Sequence, residues 1–185
     1  MLRAIEQYLS RTVSALAHLV FFLFFVRFFF MEPGVVDGQS MEPNFVDNQL
    51  FVVEKVIPLT RPFKRWEVVQ LFSPEAKDHL VIKRVIGLPG ETISIKRNAV
   101  FVRNSAGVEK ELPEAYLYPN LIIRVEYGAP HEFLVPANSY FVLGDNRMNS
   151  GDSRNFGPVH RARIVGRVVA KRSKGFDQNS QPDTL

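Results

Sequence analysis

The chain of 185 residues carries a formal net charge of +4, contains no cysteine, and is long enough for one domain with its own hydrophobic core. The lack of cysteine excludes a cysteine protease, a disulfide framework and a thiolate zinc site. The four histidines are not spaced as a metal-binding pair, and no basic stripe interleaved with aromatic residues indicates a nucleic-acid partner.

The first predicted element is a transmembrane helix at residues 12–31, with the sequence TVSALAHLVFFLFFVRFFFM. This is about the length that a helix needs to cross the hydrocarbon core, and Arg27 is close enough to one end to reach the interface. A cleavable secretory signal peptide is the alternative, but Met31-Glu32-Pro33-Gly34 offers no small-x-small cleavage site. We therefore predict that residues 1–31 form an N-terminal stub and a membrane anchor.

The rest of the chain reads as short strands separated by turn signals, with prolines that leave little room for long helices. Residues 104–119 form the longest predicted loop, and residues 173–185 form a polar tail. The pattern predicts a mainly β fold, in which residues 32–172 form one antiparallel β-sheet or barrel-like domain. The predicted strands are residues 50–56, 67–72, 80–86, 92–96, 100–103, 121–125, 140–143 and 163–170.

Ser40 lies shortly after the hydrophobic segment, in the run Asp37-Gly38-Gln39-Ser40-Met41-Glu42-Pro43. The residues before the serine are typical of a turn, and Pro43 restricts the preceding residue to extended backbone. The serine is therefore predicted to lie on a bent, rigid segment, although an ordinary surface turn is the alternative. A serine hydroxyl becomes an effective nucleophile when a base takes its proton, and a neutral lysine amine is one such base.

Lys83 lies in the predicted strand 80–86, on the same face as Val81 and Val85. A lysine on this apolar face either extends to solvent from the strand end or is buried. Burial disfavours the ammonium form and lowers the pKa, so that a buried Lys83 can act as a general base. Arg84 cannot take this role because its guanidinium stays charged, and we expect it to face solvent or a carboxylate.

A third segment, Gly144-Asp145-Asn146-Arg147-Met148-Asn149-Ser150-Gly151-Asp152-Ser153-Arg154, is too polar for a core strand and too regular for a random loop. Residues 38–43, 83–91 and 144–154 occur in the order and with the spacing of the motifs of bacterial type I signal peptidases. The chain resembles the short, single-anchor members of this serine–lysine peptidase family over residues 31–172, together with the preceding anchor. A structural Asx-rich turn is the alternative for the third segment.

The resemblance implies an endopeptidase that removes signal peptides from secreted precursors after a small-x-small motif, without a metal or cofactor. It also implies a bacterial cell membrane protein with its N-terminus in the cytoplasm and a β-rich catalytic domain on the extracytoplasmic face. The expected partners are signal peptides, the lipid bilayer and the translocation machinery, with no nucleic acid.

The resemblance also assigns roles to individual residues. Ser40 is the expected nucleophile, Lys83 the general base, and Ser150 the residue that hydrogen-bonds Lys83 and orients it. The Ser40 N–H is the expected oxyanion donor. Gly38 stands where some members carry a serine hydroxyl, so that a backbone N–H or a water must replace it. The expected supporting polar network consists of Asp145, Arg147, Asp152 and Arg154. The expected pockets for the substrate residues one and three before the cut are lined by Val36, Met41, Phe45, Val81 and Ile82, for which core packing is the alternative.

Three residues depart from the family's motifs: Met148 replaces a common aspartate, Phe45 replaces the usual leucine, and Trp66 stands where glycine is typical. We expect Met148 to interrupt part of the polar network and Phe45 to narrow a pocket. Trp66 is either an interfacial membrane contact or a core residue.

Two alternative functions stay open. A related Ser–Lys peptidase, such as a pilin or conjugation peptidase or a self-cleaving repressor, would act on other substrates, although the anchor argues against a repressor. A non-catalytic, membrane-anchored β domain would only bind extended peptides, although the presence of both Ser40 and Lys83 argues against it.

Overall fold

The computed structural model describes residues 2–56, 61–76, 79–117, 122–123 and 131–172. The chain divides into two compact units, Met1–Glu32 and Pro33–Leu185. The predicted polar tail at residues 173–185 lies outside the described residues.

The first unit is a helix, α1 (Leu2–Phe30). It begins ten residues before the predicted span because residues 2–11 are rich in strong helix formers such as leucine, arginine, alanine and glutamine. Its section Gln7–Phe25 is long and apolar enough to cross a membrane. Large apolar side chains such as Phe21 and Phe22 are exposed along it. By length and composition α1 is a candidate transmembrane span.

The described strands form two sheets, and every pairing with a described register is antiparallel. One sheet has seven strands in the order β1-β2-β11-β3-β4-β9-β10, and the other has four in the order β7-β6-β5-β8. The mainly β prediction is confirmed. The strands are β1 (Met31–Val35), β2 (Leu50–Glu54), β3 (Val68–Phe72), β4 (Leu80–Gly87), β5 (Thr92–Lys96), β6 (Ala99–Arg103), β7 (Glu109–Glu111), β8 (Glu132–Leu134), β9 (Ser139–Leu143), β10 (Val159–His160) and β11 (Ile164–Lys171).

Two predictions about the elements differ from the structure. The loop predicted at residues 104–119 contains β7, whose three charged and exposed residues pair with β6 through the backbone and so give no hydrophobic pattern. Of the strand predicted at residues 121–125, only 122–123 are described, and they lie in no strand. A short helix, α2 (Ser153–Phe156), was also missed; Asp152 caps it inside the polar third segment.

Strand β4 contributes to three hydrophobic clusters. Ile82 belongs to a cluster with residues of the serine turn, Val85 packs with β3 and β9, and Ile86 packs against the four-stranded sheet. Lys83 lies between these apolar residues and is only 2% exposed. The position of Lys83 is therefore fixed by the packing of its neighbours on both faces of the sheet.

Gly166, at a register shift in β11, allows the close approach of β2. A Cβ at this position would lie 2.3 Å from the Glu54 carbonyl oxygen and 2.6 Å from Val53 Cγ1. We expect Gly166→Ala to lower the free energy of unfolding by about 1–3 kcal/mol, the usual cost of overpacking. Urea denaturation measures this free energy. The control is Val169→Ala, which changes an exposed residue on the same strand. Equal stability of the two variants would contradict the prediction.

Candidate active site

The turn that carries Ser40 follows β1 and is closed by its own hydrogen bonds. The Phe45 N–H donates to the Met41 carbonyl at 2.9 Å, and the Glu42 N–H donates to the Gln39 carbonyl at 3.1 Å. Ser40 is half-buried, and its N–H donates to no acceptor among the described residues. A ligand atom at Ser40 Oγ can therefore also meet a free N–H donor.

Gly38 does not offer a second free donor. Its N–H donates to Asp47 Oδ1 at 2.8 Å, so a water or another backbone N–H stays the expected replacement for the serine hydroxyl. Gly38 has a φ of 86°, a conformation that glycine adopts at no steric cost. The residue shapes the turn rather than supplying a donor.

Lys83 meets the serine at the centre of the candidate site, where Lys83 Nζ lies 2.6 Å from Ser40 Oγ. Burial lowers the pKa of Lys83 to about 8; the negative charge of Asp152 opposes this shift, and the positive charge of Arg154 reinforces it. An ammonium at this distance donates to the serine oxygen, whereas a neutral amine accepts the serine proton. Because the pKa is near 8, the neutral amine is well populated in mildly alkaline solution.

The third polar segment binds the serine turn through the backbone. The Asn146 N–H donates to the Ser40 carbonyl at 3.1 Å, and the Asn146 side-chain amide donates to the Gln39 carbonyl at 3.2 Å. Gly144 lies so close that a Cβ there would be 2.4 Å from the Ser40 carbonyl oxygen. Any side chain at residue 144 would push the nucleophile's turn away from this segment.

Asp145 joins the serine turn to the lysine strand. Its fully buried carboxylate accepts from Arg84 Nε at 2.8 Å and from Asn44 Nδ2 at 3.0 Å, and it also pairs with Arg84 Nη2. Asn44 belongs to the serine turn, and Arg84 is the neighbour of Lys83 on β4. Of the two environments predicted for Arg84, the carboxylate is therefore the one found.

Arg147 pairs with a residue that the sequence did not indicate. Both of its terminal nitrogens lie 2.5 Å from Glu114 carboxylate oxygens, and Nη2 also donates to Tyr116 Oη at 3.0 Å. The Tyr116 carbonyl accepts from Asn44 Nδ2 at 2.8 Å. Glu114 and Tyr116 lie in the predicted loop, where no motif or periodicity singled them out.

Asp152 and Arg154 pair with each other. Arg154 Nε donates to Asp152 Oδ1 at 2.8 Å, and Asp152 Oδ2 also accepts the Gly144 N–H at 2.9 Å. The four residues predicted to form one network are all buried, but their side chains form three separate ion pairs. Arg154 links two of these pairs, because it also donates to the Arg147 carbonyl.

Ser150 does not make the predicted hydrogen bond to Lys83. Its Oγ is buried and has no hydrogen-bond partner among the described residues. The side chain packs against Gly144 instead, with Oγ 2.1 Å from where a Gly144 Cβ would lie. Met148 was expected to interrupt part of the polar network. Its side chain is instead 45% exposed and leaves the buried ion pairs intact.

The predicted pocket residues do not share one surface. Val36, Met41, Phe45 and Ile82 are buried in one cluster, whereas Val81 packs against the second cluster, because alternation along β4 turns it to the other face. Their role in substrate binding stays a prediction.

Trp66 is partly buried against the hydrophobic core of the second unit, as in the core alternative for this residue. It packs against the cluster that contains Ile86, and its ring centroid lies 5.6 Å from that of Tyr116. Within the described ranges, no three His, Asp or Glu side chains converge as a metal ion would require.

A family model described as "Signal peptidase, peptidase S26" matches residues 9–172. Signal peptidase I P of Bacillus subtilis subsp. natto is 38% identical over 163 residues, which cover 83% of this chain and 83% of the relative. Signal peptidase I T of Bacillus subtilis (strain 168) is 36% identical over 147 residues, covering 76% and 73%. A crystal structure of a signal peptidase I from Enterococcus faecalis V583 is 30% identical, with a TM-score of 0.48, and covers 59% of this chain and 98% of that chain.

The family model spans the serine turn, β4 and the third polar segment, and relatives of the same name cover most of the chain; the chain therefore belongs to the signal peptidase family, peptidase S26.

Proposed function

We propose that this serine endopeptidase of the signal peptidase family removes signal peptides from secreted precursors after a small-x-small motif, with Ser40 as nucleophile and Lys83 as general base. The observation that carries the proposal is the 2.6 Å contact between Lys83 Nζ and Ser40 Oγ, at a lysine that is 2% exposed. Such a pair has the geometry and the proton affinity that a serine–lysine mechanism requires.

In the first step, the neutral Lys83 amine takes the Ser40 hydroxyl proton while Oγ attacks the carbonyl carbon of the small residue before the cut. The Ser40 N–H faces the developing oxyanion. Lys83 then returns the proton to the leaving amine, the C–N bond breaks, and an acyl-enzyme ester remains on Ser40. In the second step, water gives a proton to Lys83 and attacks the ester, and Ser40 recovers its proton as the signal peptide leaves.

We further propose that α1 anchors the enzyme in the bacterial cell membrane, with the N-terminus inside and the catalytic unit on the extracytoplasmic face. The apolar section Gln7–Phe25 supports an anchor by its length and hydropathy. The substrates would then be precursors delivered by the translocation machinery.

The first prediction concerns the two reacting residues. We expect Ser40→Ala and Lys83→Met to abolish cleavage of a precursor with an Ala-x-Ala site, because one removes the nucleophile and the other removes the base. The control is Lys110→Met, which removes an exposed lysine from β7. Cleavage is followed by gel electrophoresis with the full-length chain in lipid. Cleavage by folded Ser40→Ala at the wild-type rate would rule out the proposed nucleophile.

The second prediction is a pH dependence. The pKa of Lys83 is lowered to about 8, so the reactive neutral amine is lost as the pH falls below that value. We expect kcat/KM to fall about tenfold per pH unit below the pKa and to level off above it. Initial rates measured from about pH 6 to about pH 10 test this expectation. A midpoint near the ordinary lysine pKa would show that the base is not desolvated.

The third prediction separates Arg84 from Lys83. Arg84→Met would leave the Asp145 carboxylate buried without its cation, so we expect unfolding to become easier by about 3–5 kcal/mol. The matched control is Arg103→Met, whose ion pair with Glu132 is largely exposed and contributes only about 0–1 kcal/mol. Chemical denaturation of both variants measures the difference. If both variants lose the same small amount of stability, the Arg84–Asp145 pair does not hold the site together.

A further inference from the structure

Gln70 is a buried polar residue that the proposed mechanism does not use. It lies on β3, is 7% exposed, and its Oε1 is buried without a hydrogen-bond partner. No hydrogen bond of its amide to another described residue is found. A buried acceptor without a partner carries the full cost of its desolvation, so its retention calls for a ligand or a functional reason.

Gln70 lies on the face of the sheet that carries Ile82, whereas the Lys83 side chain leaves β4 on the other face. In the β3–β4 register Gln70 is opposite Ile82, and residues directly opposite each other share a face of the sheet. Ile82 precedes Lys83 and is buried in the same cluster as Met41, which follows Ser40. Gln70 is thus a polar residue beside an apolar cluster that contains four of the five predicted pocket residues.

We infer that Gln70 is a specificity-determining residue whose side-chain amide hydrogen-bonds a hydroxyl group on the substrate residue three before the cut. The inference rests on the proposed function. A hydroxyl both donates and accepts, so it can pair with either end of the amide, and serine and threonine are small enough for a closely packed site. An apolar side chain at that position would leave the buried amide unpaired.

The choice of the third residue before the cut follows from the geometry of an extended substrate. The carbonyl of the residue at the cut must lie against Ser40 Oγ and Lys83 Nζ, and its side chain then points to the cluster that contains Met41 and Ile82. The next substrate side chain on the same face belongs to the third residue, about 6.6 Å further along an extended chain. Gln70 lies on β3, the strand next to β4, and neighbouring strands of a sheet are about 4.8 Å apart. Gln70 is therefore one strand further from the reacting groups than Ile82, as the third substrate residue is further along the substrate than the residue at the cut.

The test compares precursors that differ only at this third position, with threonine or valine, because these two side chains differ by a hydroxyl against a methyl group. For the full-length wild-type chain in detergent, we expect kcat/KM to be about fivefold higher with the threonine precursor than with the valine precursor. This is the factor that one net hydrogen bond contributes. In Gln70→Leu and Gln70→Met, the ratio of threonine to valine is expected to fall to about one or below. Thermal unfolding of Gln70→Leu should occur at the same or a higher temperature, because an unpaired buried acceptor has been removed.

The control is Ser94→Ala, which removes a buried serine whose Oγ bonds to Glu109 in the four-stranded sheet. This variant should unfold at a lower temperature and keep the wild-type ratio of threonine to valine. The inference is overturned if the wild-type ratio is near one, or if both Gln70 variants keep the wild-type ratio. A wild-type chain that cleaves no precursor, including one with an Ala-x-Ala site, would instead overturn the proposed function itself.

Discussion

The burial of the Lys83 amine is the constraint on which the rest of the site depends. An isolated ammonium in an apolar interior is costly, and a directly paired carboxylate would stabilise it and raise its pKa. Three carboxylates, Asp152, Asp145 and Glu75, act on Lys83 in this direction. Asp152 and Asp145 are each bonded to an arginine, Arg154 and Arg84. The positive charge of Arg154 opposes the carboxylates, and the pKa of Lys83 stays near 8 because desolvation dominates.

The same polar residues also bring together three distant parts of the chain. Asp145 holds both Asn44 of the serine turn and Arg84 of the lysine strand, and Asn146 holds the Ser40 carbonyl. The close approach is possible because residue 144 is glycine. The third segment is therefore polar for a geometric reason: it fixes the distance between a nucleophile on a turn and a base on a strand.

The sequence predicted those features that depend on local pattern. Alternation along β4 placed Lys83 among apolar neighbours. The family's motifs have a glycine where this chain has Trp66, and the positive φ of 74° at this residue explains why glycine is suited to the position. The pairing of Arg147 with Glu114 and the orientation of Ser150 depend on how loops pack in three dimensions. Strand β7 escaped prediction because its three residues are charged and exposed, so they give no hydrophobic alternation. Local sequence carries no signal for such contacts.

Among the described residues, three buried side-chain atoms lack a hydrogen bond: Gln70 Oε1, Ser150 Oγ and Arg167 Nε. Arg167 still pairs with Glu54 and Glu67 through its other nitrogens, so its charge is satisfied within the fold. The remaining two lie on segments that adjoin the serine turn and the lysine strand, Ser150 beside Gly144 and Gln70 opposite Ile82. A fold optimised only for stability would pair or remove such atoms, because each costs free energy. Unpaired polar atoms on the segments around the serine–lysine pair are what a site that completes its hydrogen bonds with substrate requires.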